Sequence, residues 1–229
     1  MDIPCKIEKV INSIQNTPSQ FTNPKEDVRL IAVTKTQGIE AIKEAVDYGL
    51  RDLGENRVQE IVEKYPHFPA DVRWHLIGHL QTNKVKYIAD KVYMIHSLDS
   101  IRLAEEIQKQ AAKINRVMPC LVQLNIADED SKFGLKKEEA EDFLREICRF
   151  PNIEINGLMT IGPYVDDIEK IRNVFRELRQ LKEYLATLAL PGVKMRELSM
   201  GMSNDYTVAI EEGATMVRVG TSIFGIRHK

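Results

Sequence analysis

Short apolar runs alternate with longer amphipathic segments eight times along the chain. The short runs predict strands at residues 29–34, 52–55, 73–77, 92–96, 119–124, 153–158, 197–200 and 216–219. The amphipathic segments predict helices at residues 39–48, 57–64, 84–89, 137–150, 167–188 and 205–212, and another, capped by Ser97 or Asp99, that ends near residue 114. An extra helix is predicted at residues 3–14. This alternation is typical of an α/β protein with a parallel sheet.

The number of strands leaves two parallel architectures open. Eight strands close a (β/α)8 TIM barrel, whose usual length of ~250 residues is close to the 229 residues of this chain. An open, doubly wound sheet is the competing fold, and periodicity alone favours the barrel only slightly. Because no low-complexity linker divides the sequence, a single domain over residues 1–229 is expected.

Composition excludes several classes of protein. The 32 Lys and Arg nearly balance the 34 Asp and Glu, unlike the strongly basic domains that bind nucleic acid through bulk charge. The sequence has no run of ~18 apolar residues to cross a membrane and no signal peptide. Its three cysteines form no C-x-x-C pair, which argues against disulfides and structural zinc. A cytoplasmic protein without nucleic-acid or membrane partners is expected.

Lys35 follows the first predicted strand directly. In a barrel, the carboxyl end of a strand faces the active site. A lysine at this position either reaches solvent at the rim or belongs to the site, and position alone favours the rim. As a site group it would hold an anion or form a Schiff base through its amine.

The loops after the seventh and eighth predicted strands are rich in glycine and hydroxyl residues. Gly201 would let the backbone approach a ligand closely, and Ser203 or Asp205 would cap the following helix, whose N-terminus attracts anions. Gly220 and Thr221 follow the eighth strand in the same way. Barrels often bind phosphate after strands 7 and 8. The sequence therefore leaves two interpretations of these loops equally open, a phosphate site or a pair of plain capped turns.

Other chemically suggestive residues have simpler interpretations. His75 and His79 lie four residues apart, but Leu76 stands where a metalloprotease helix has Glu. No metal site is predicted there, and a packed or hydrogen-bonded histidine is expected. The acidic stretch 128–130 is interpreted as a solvated loop. Three methionines are expected to line the core or a pocket: Met200, Met202 and Met216.

Seven segments, taken in order, carry a family resemblance. They are AVTKT at 32–36, LGENRVQE at 53–60, WHLIGHLQTNK at 74–84, DSKFG at 130–134, GLMT at 157–160, LSMGMSND at 198–205 and RVGTSIFG at 218–225. Each alone is weak, but seven in order at such spacing are highly specific. The chain resembles the pyridoxal 5′-phosphate (PLP) homeostasis proteins, also called the YggS or PROSC family, over nearly its whole length.

The resemblance implies a single (β/α)8 barrel of PLP fold-type III, the alanine racemase N-terminal kind, with an extra N-terminal helix. It implies that the vitamin B6 cofactor PLP forms a Schiff base with Lys35. The phosphate would lie against Ser199, the Met200 backbone, Gly220 and Thr221, with Ser203 nearby. Asn56 and His75 would line the cofactor pocket, with Met159 as a weaker candidate.

The resemblance also places Arg218 against the pyridine nitrogen of PLP. An arginine stays charged and only donates hydrogen bonds, so the nitrogen facing it must accept one and is unprotonated. An unprotonated ring stabilises a carbanion weakly. This arrangement suits a protein that holds PLP, or a racemase that avoids deep charge delocalisation, better than a transaminase.

Two functions follow from the resemblance. The first is a monomeric protein of intracellular PLP homeostasis that holds PLP and hands it to PLP-dependent apoenzymes, with no assured catalytic residue. A racemase of this barrel type carries a second, β-rich domain with a catalytic tyrosine, whereas this chain ends eight residues after Thr221. The alternative is a racemase or lyase acting at Cα, with Lys35 as one base and a residue such as His75 as the other acid or base.

Overall fold

The strands form a closed barrel in the computed structural model, which describes residues 2–19, 21, 28–127, 129 and 132–225. The strands are β1 (Arg29–Val33), β2 (Asp52–Glu55), β3 (Arg73–Leu76), β4 (Val92–Leu98), β5 (Met118–Leu124), β6 (Ile153–Thr160), β7 (Val193–Met202) and β8 (Met216–Val219). Each pairs in parallel with its neighbours in sequence, and β1 also pairs with β8 from Arg29 opposite Met216 to Ala32 opposite Val219. The barrel prediction is confirmed, and the open sheet is excluded.

Helices surround the barrel. They are α1 (Ile3–Asn16), α2 (Ile39–Tyr48), α3 (Val58–Lys64), α4 (Ile101–Lys113), α5 (Ala140–Ile147), α6 (Ile168–Thr187), α7 (Tyr206–Glu211) and α8 (Thr221–Phe224). Three short 3-10 segments at Tyr65–His67, Thr82–Tyr87 and Lys137–Glu139 complete the helical elements of the described ranges. The extra helix α1 begins with Asp2, whose side chain accepts a hydrogen bond from the Cys5 N–H, and it packs against α2 and α8.

Some predicted boundaries are wrong. Ser100, not Ser97 or Asp99, caps α4 by accepting a hydrogen bond from the Leu103 N–H, because β4 continues through Ser97 to Leu98. The helix predicted at 84–89 is a 3-10 segment, and β7 is longer than the four residues predicted. The short helix α8 was not predicted. The acidic stretch 128–130 and the DSKFG segment include Asp128, Asp130 and Ser131, which lie outside the described residues.

The core has two layers. Outward-facing strand residues pack against the helices in one large cluster that includes Trp74, Leu76 and Val217. A smaller cluster fills the barrel interior: Ile31, Met94, Leu121, Met159 and Met216. Successive residues of a barrel strand point alternately inward and outward. On β8 this alternation sends Arg218 inward, two residues after Met216, and so brings a charge into the interior.

Candidate functional site

A cavity of about 740 Å³ opens at the carboxyl ends of the strands. This volume falls within the range of ~300–1,000 Å³ that is usual for small-molecule sites. Residues at or after the ends of β1, β2, β3, β5, β6, β7 and β8 contribute to its wall. Eight of the residues named from the sequence line it: Lys35, Asn56, Met202, Ser203, Asp205, Arg218, Gly220 and Thr221.

A buried ion pair fixes the end of β1 beside Lys35. The Lys64 Nζ on α3 donates to Glu55 Oε1 at 2.7 Å and to the Thr34 carbonyl at 2.9 Å. The Thr34 hydroxyl donates to the same Glu55 oxygen at 2.6 Å. Glu55 is fully buried, and burial raises the pKa of its carboxyl in spite of the hydrogen bonds from Lys64 and Thr34. These contacts anchor the residue that precedes Lys35.

The residue that follows Lys35 is also fixed by hydrogen bonds. Thr36 lies in the left-handed region, with φ 63°, which is costly for a β-branched residue. Its N–H donates to Glu60 Oε2 at 2.7 Å, and the same oxygen accepts from Lys64 Nζ at 2.8 Å. Burial acts to raise the pKa of Glu60, but the hydrogen bonds from Lys64 and Thr36 outweigh it and lower the pKa. The turn that carries Lys35 is thus constrained on both sides.

Asn56 reaches the cavity from the end of β2, where the backbone of the next loop passes very close. A Cβ on Gly78 would lie 2.4 Å from the Asn56 carbonyl oxygen, so a glycine is required at this contact. Ile77, directly before Gly78, also lines the cavity. The close approach fixes the position of Asn56 relative to β3.

The loops after β7 and β8 meet at Ser203. Its Oγ accepts hydrogen bonds from the Gly220 N–H at 3.3 Å and from the Ser222 N–H at 3.4 Å. Because the Ser203 oxygen accepts from these two N–H groups, its hydroxyl can donate its own hydrogen, and the Thr221 hydroxyl belongs to the same cavity wall. Neutral donors of this kind suit a phosphate, because they supply hydrogen bonds to its oxygens.

Asp205 occupies the N-cap position of α7, but its side chain does not make the capping hydrogen bond that was predicted. The carboxylate instead accepts from the Met202 N–H at 2.5 Å. Gly201, with φ 88°, allows a close approach, but toward α7 instead of a ligand, since a Cβ there would lie 2.9 Å from the Tyr206 Cα. Burial raises the pKa of Asp205.

Arg218 brings a buried cation to the cavity. Its Nη1 donates to Ser199 Oγ at 2.6 Å, and its Nη2 donates to the Thr160 carbonyl at 2.8 Å. Burial lowers the pKa of the guanidinium to about 10, although Asp205 acts in the opposite direction. Arg218 therefore remains a cation at neutral pH and has N–H groups beyond those used by the protein to offer a ligand.

Three residues expected at the cofactor, His75, Ser199 and Met200, are not among the described residues that line the cavity. His75 is fully buried inside the barrel, where its ring nitrogens contact Asp52 and His96, and it is not among the described residues lining the cavity. Ser199 lies behind Arg218, and Met200 packs in the outer core cluster. The weaker candidate Met159 belongs to the inner cluster. These side chains contact the barrel interior or the outer core instead of the cavity.

The sequence interpretation missed the loop after β6. Residues 161–166 and Ile168 all line the cavity, and Tyr164 is 97 % exposed at its mouth. Lys132 supports this loop by donating to the Gly162 carbonyl at 3.0 Å. The sequence places this loop directly after a predicted strand, as it does Lys35, and that position could have indicated its role. In the parts of the chain that the structure describes, no group of three or more His, Cys, Asp or Glu side chains could hold a metal.

No helix within the described ranges has the length and apolar character needed to span a bilayer.

Comparison with known proteins agrees with this geometry. A family model described as alanine racemase, N-terminal domain, matches residues 12–228. A pyridoxal phosphate homeostasis protein from Aquifex aeolicus is 43 % identical over 226 residues, covering 97 % of each chain. The protein of the same name from Escherichia coli is 36 % identical over 230 residues, covering 99 % of this chain and 97 % of its own.

Solved structures give the same result. PipY from Synechococcus elongatus, solved with PLP bound, is 33 % identical with a TM-score of 0.85 and covers 98 % of this chain and 100 % of its own. An alanine racemase from Clostridium difficile has a TM-score of 0.74 at 16 % identity, covering 100 % of this chain and 57 % of the racemase, and shares the fold alone. Because the family model and the full-length relatives each span nearly all of the sequence, this chain belongs to the pyridoxal phosphate homeostasis protein family.

Proposed function

We propose that this protein takes part in PLP homeostasis by holding PLP as a Schiff base on Lys35 without turning over a substrate. The observation that carries the proposal is that Lys35, Arg218 and the hydroxyl residues Ser203 and Thr221 all line one cavity. PipY, a relative of one-third identity, has been solved with PLP bound.

The donor set fits each part of PLP. When bound, PLP supplies an aldehyde that condenses with an amine and a ring that withdraws electrons. Lys35, on its constrained turn, provides the amine. Gly220, Thr221 and Ser203 would provide hydrogen bonds for the phosphate, and Asn56 lines the same cavity. In this proposal Ser199 and Met200 support the site from behind.

The presence of Arg218 favours a protein that holds PLP over an enzyme that turns over a substrate. A guanidinium offers only donors, so a ring nitrogen facing it accepts a hydrogen bond and stays unprotonated. This makes the ring a weak electron sink. The alternative of a racemase or lyase required a second acid or base such as His75. Both nitrogens of that ring are already engaged inside the barrel, so His75 does not supply one.

The proposal also covers the oligomeric state of the protein, its domain organisation and its role as a PLP donor. One chain supplies the wall, so a monomer with a single domain over residues 1–229 suffices to hold PLP. A reversible Schiff base suits a donor that hands PLP to apoenzymes in the cytoplasm.

Turnover is tested by incubating the PLP-loaded protein with amino acids in deuterated water and measuring deuterium at Cα by mass spectrometry. We expect exchange no faster than with free PLP at the same concentration, because the unprotonated ring stabilises a carbanion weakly. Lys35→Ala protein with PLP is the matched control. Robust exchange by the original protein, lost in this control, would establish an enzyme and overturn the non-catalytic proposal.

A further inference from the structure

A continuous chain of hydrogen-bonded side chains crosses the barrel interior. From the cavity inward, Arg218 Nη1 donates to Ser199 Oγ at 2.6 Å, and that oxygen lies 2.9 Å from His96 Nδ1. His96 Nε2 lies 2.9 Å from His75 Nδ1, and His75 Nε2 lies 2.9 Å from Asp52 Oδ1. The chain links β8, β7, β4, β3 and β2, and it runs from the cavity to the opposite end of the barrel.

Every member of this chain is shielded from solvent. His75, His96 and Ser199 are fully buried, Arg218 is 4 % exposed and Asp52 is 6 % exposed. Buried polar groups must find partners within the protein, because a lost hydrogen bond there costs ~1–3 kcal/mol. The direction of each hydrogen bond is therefore constrained by its neighbours.

The two ends of the chain fix that direction. Arg218 can only donate. Asp52 is held as an acceptor-only carboxylate by Arg73, which donates to it from Nε at 2.8 Å and from Nη2 at 2.5 Å. Burial acts to raise the pKa of Asp52, but the hydrogen bonds from His75 and Arg73 outweigh it and lower the pKa. Because the chain has a donor at one end and an acceptor at the other, its hydrogen bonds can all point in only one direction, from Arg218 toward Asp52.

That order assigns both tautomers. Ser199 accepts from Arg218, so its own hydroxyl hydrogen goes to His96 Nδ1. His96 must then carry its hydrogen on Nε2 and donate to His75 Nδ1. His75 likewise carries its hydrogen on Nε2 and donates to Asp52. The reverse order would need a protonated Asp52 beside Arg73 and would leave the Ser199 hydroxyl hydrogen with no acceptor in the chain.

Burial, together with the nearby arginines, favours the neutral form of both rings. Burial lowers the pKa of His75, and the attraction of Asp52 only partly offsets it, while Arg29 and Arg73 act in the same direction as burial. Burial lowers the pKa of His96 further, and His75, Arg218 and Arg29 add repulsion. Tyr93 is a further titratable neighbour, with its ring centroid 5.4 Å from that of His75.

We propose that Asp52, His75 and His96 are positioning residues that hold Arg218 toward the cavity by making Ser199 an acceptor for its guanidinium. Through this relay, the ion pair at the far end of the barrel sets the hydrogen-bonding state of the cavity wall. The tautomers are a property of the protein alone, whereas the effect on PLP rests on the proposed function.

The tautomers can be measured by 15N NMR of the imidazole nitrogens in the protein without PLP. Both buried histidines are expected to be neutral Nε2–H tautomers at about pH 7.5, which is above the ordinary pKa of histidine, because burial lowers the pKa of each ring. An Nδ1–H tautomer or an imidazolium at either position would overturn the relay. Since no cofactor is present, this result does not depend on PLP binding.

Asp52→Asn tests transmission from the far end of the barrel. An amide can donate to His75 Nε2, so the histidine tautomers are expected to change and PLP to bind roughly 10-fold more weakly, the lower range for loss of an orienting partner. Asp71→Asn is the matched control, because it removes an Asp–Arg pair with Arg51 at 2.7 Å that lies outside the chain. Unchanged tautomers and PLP affinity in folded Asp52→Asn protein would contradict the proposal.

Two substitutions of His96 separate positioning from packing. A glutamine can accept from Ser199 through its oxygen and donate to His75 through its nitrogen, whereas a leucine can do neither. His96→Gln is expected to bind PLP within about 3-fold of the original protein, and His96→Leu roughly 10-fold more weakly. Equal affinities in the two folded variants would contradict the relay. If the unsubstituted protein binds no PLP, the proposed function fails, and the NMR result still decides the hydrogen-bond order.

Discussion

Lys35→Ala is expected to abolish the visible absorption band that PLP acquires on the protein. An alanine has no amine to condense with the aldehyde, while Thr34 and Thr36 keep their own hydrogen bonds on either side of the substituted residue. The variant should therefore fold and retain the phosphate donors while losing the covalent bond. The measurement is the visible spectrum after PLP is added and excess is removed.

Lys43→Ala serves as the control for this experiment. Lys43 lies on the exposed face of α2 and pairs with Glu40 at 3.4 Å, away from the cavity. Its replacement should leave the band unchanged. A band of full intensity in the Lys35→Ala protein would mean that another lysine carries PLP, and the assignment of Lys35 would be wrong.

Lys64→Met is expected to destabilise the protein by about 3–5 kcal/mol, the usual cost of leaving one member of a buried ion pair without its partner. Lys64 also pairs with Glu60 at 2.8 Å, but the more deeply buried carboxylate left behind is that of Glu55, whose Oε2 has no hydrogen-bond partner among the described residues. The free energy of unfolding from urea titrations measures this effect. The variant should also bind PLP more weakly, because Lys64 anchors the residue before Lys35.

A second substitution tests the cause of this loss. Adding Glu55→Gln to Lys64→Met removes the stranded charge and should restore most of the stability. Lowering the pH should act similarly. Burial raises the pKa of Glu55 in the folded state, so the penalty is absent below its ordinary value of 4.5 and grows as pH rises through the raised value. A deficit in Lys64→Met that neither change reduces would contradict this explanation.

Much of the barrel is predictable because its strands are short apolar runs separated by amphipathic segments. The closure itself depends on the pairing of β1 with β8, which joins residues nearly 190 positions apart, as from Arg29 to Met216. No local pattern encodes that pairing, so the eight strands left an open sheet possible. The family resemblance supplied what periodicity could not.

The residues of the site also differ in whether the sequence alone can predict their positions. Lys35, Gly220 and Thr221 directly follow strands, and the position after a strand places them at the cavity. His75 and Ser199 lie within strands, where a shift of a residue or two in the strand end decides whether a side chain faces the ligand or the interior. The His75–His96 contact joins two strands and depends on register, which one sequence does not reveal.

The most direct test of the central claim is the visible spectrum of the purified protein before and after borohydride reduction, followed by mapping of the modified peptide. We predict a PLP band that reduction removes, with the pyridoxyl group on Lys35. A pyridoxyl group on a different lysine, or no band even after PLP is added, would contradict the proposal that this cavity holds PLP through Lys35.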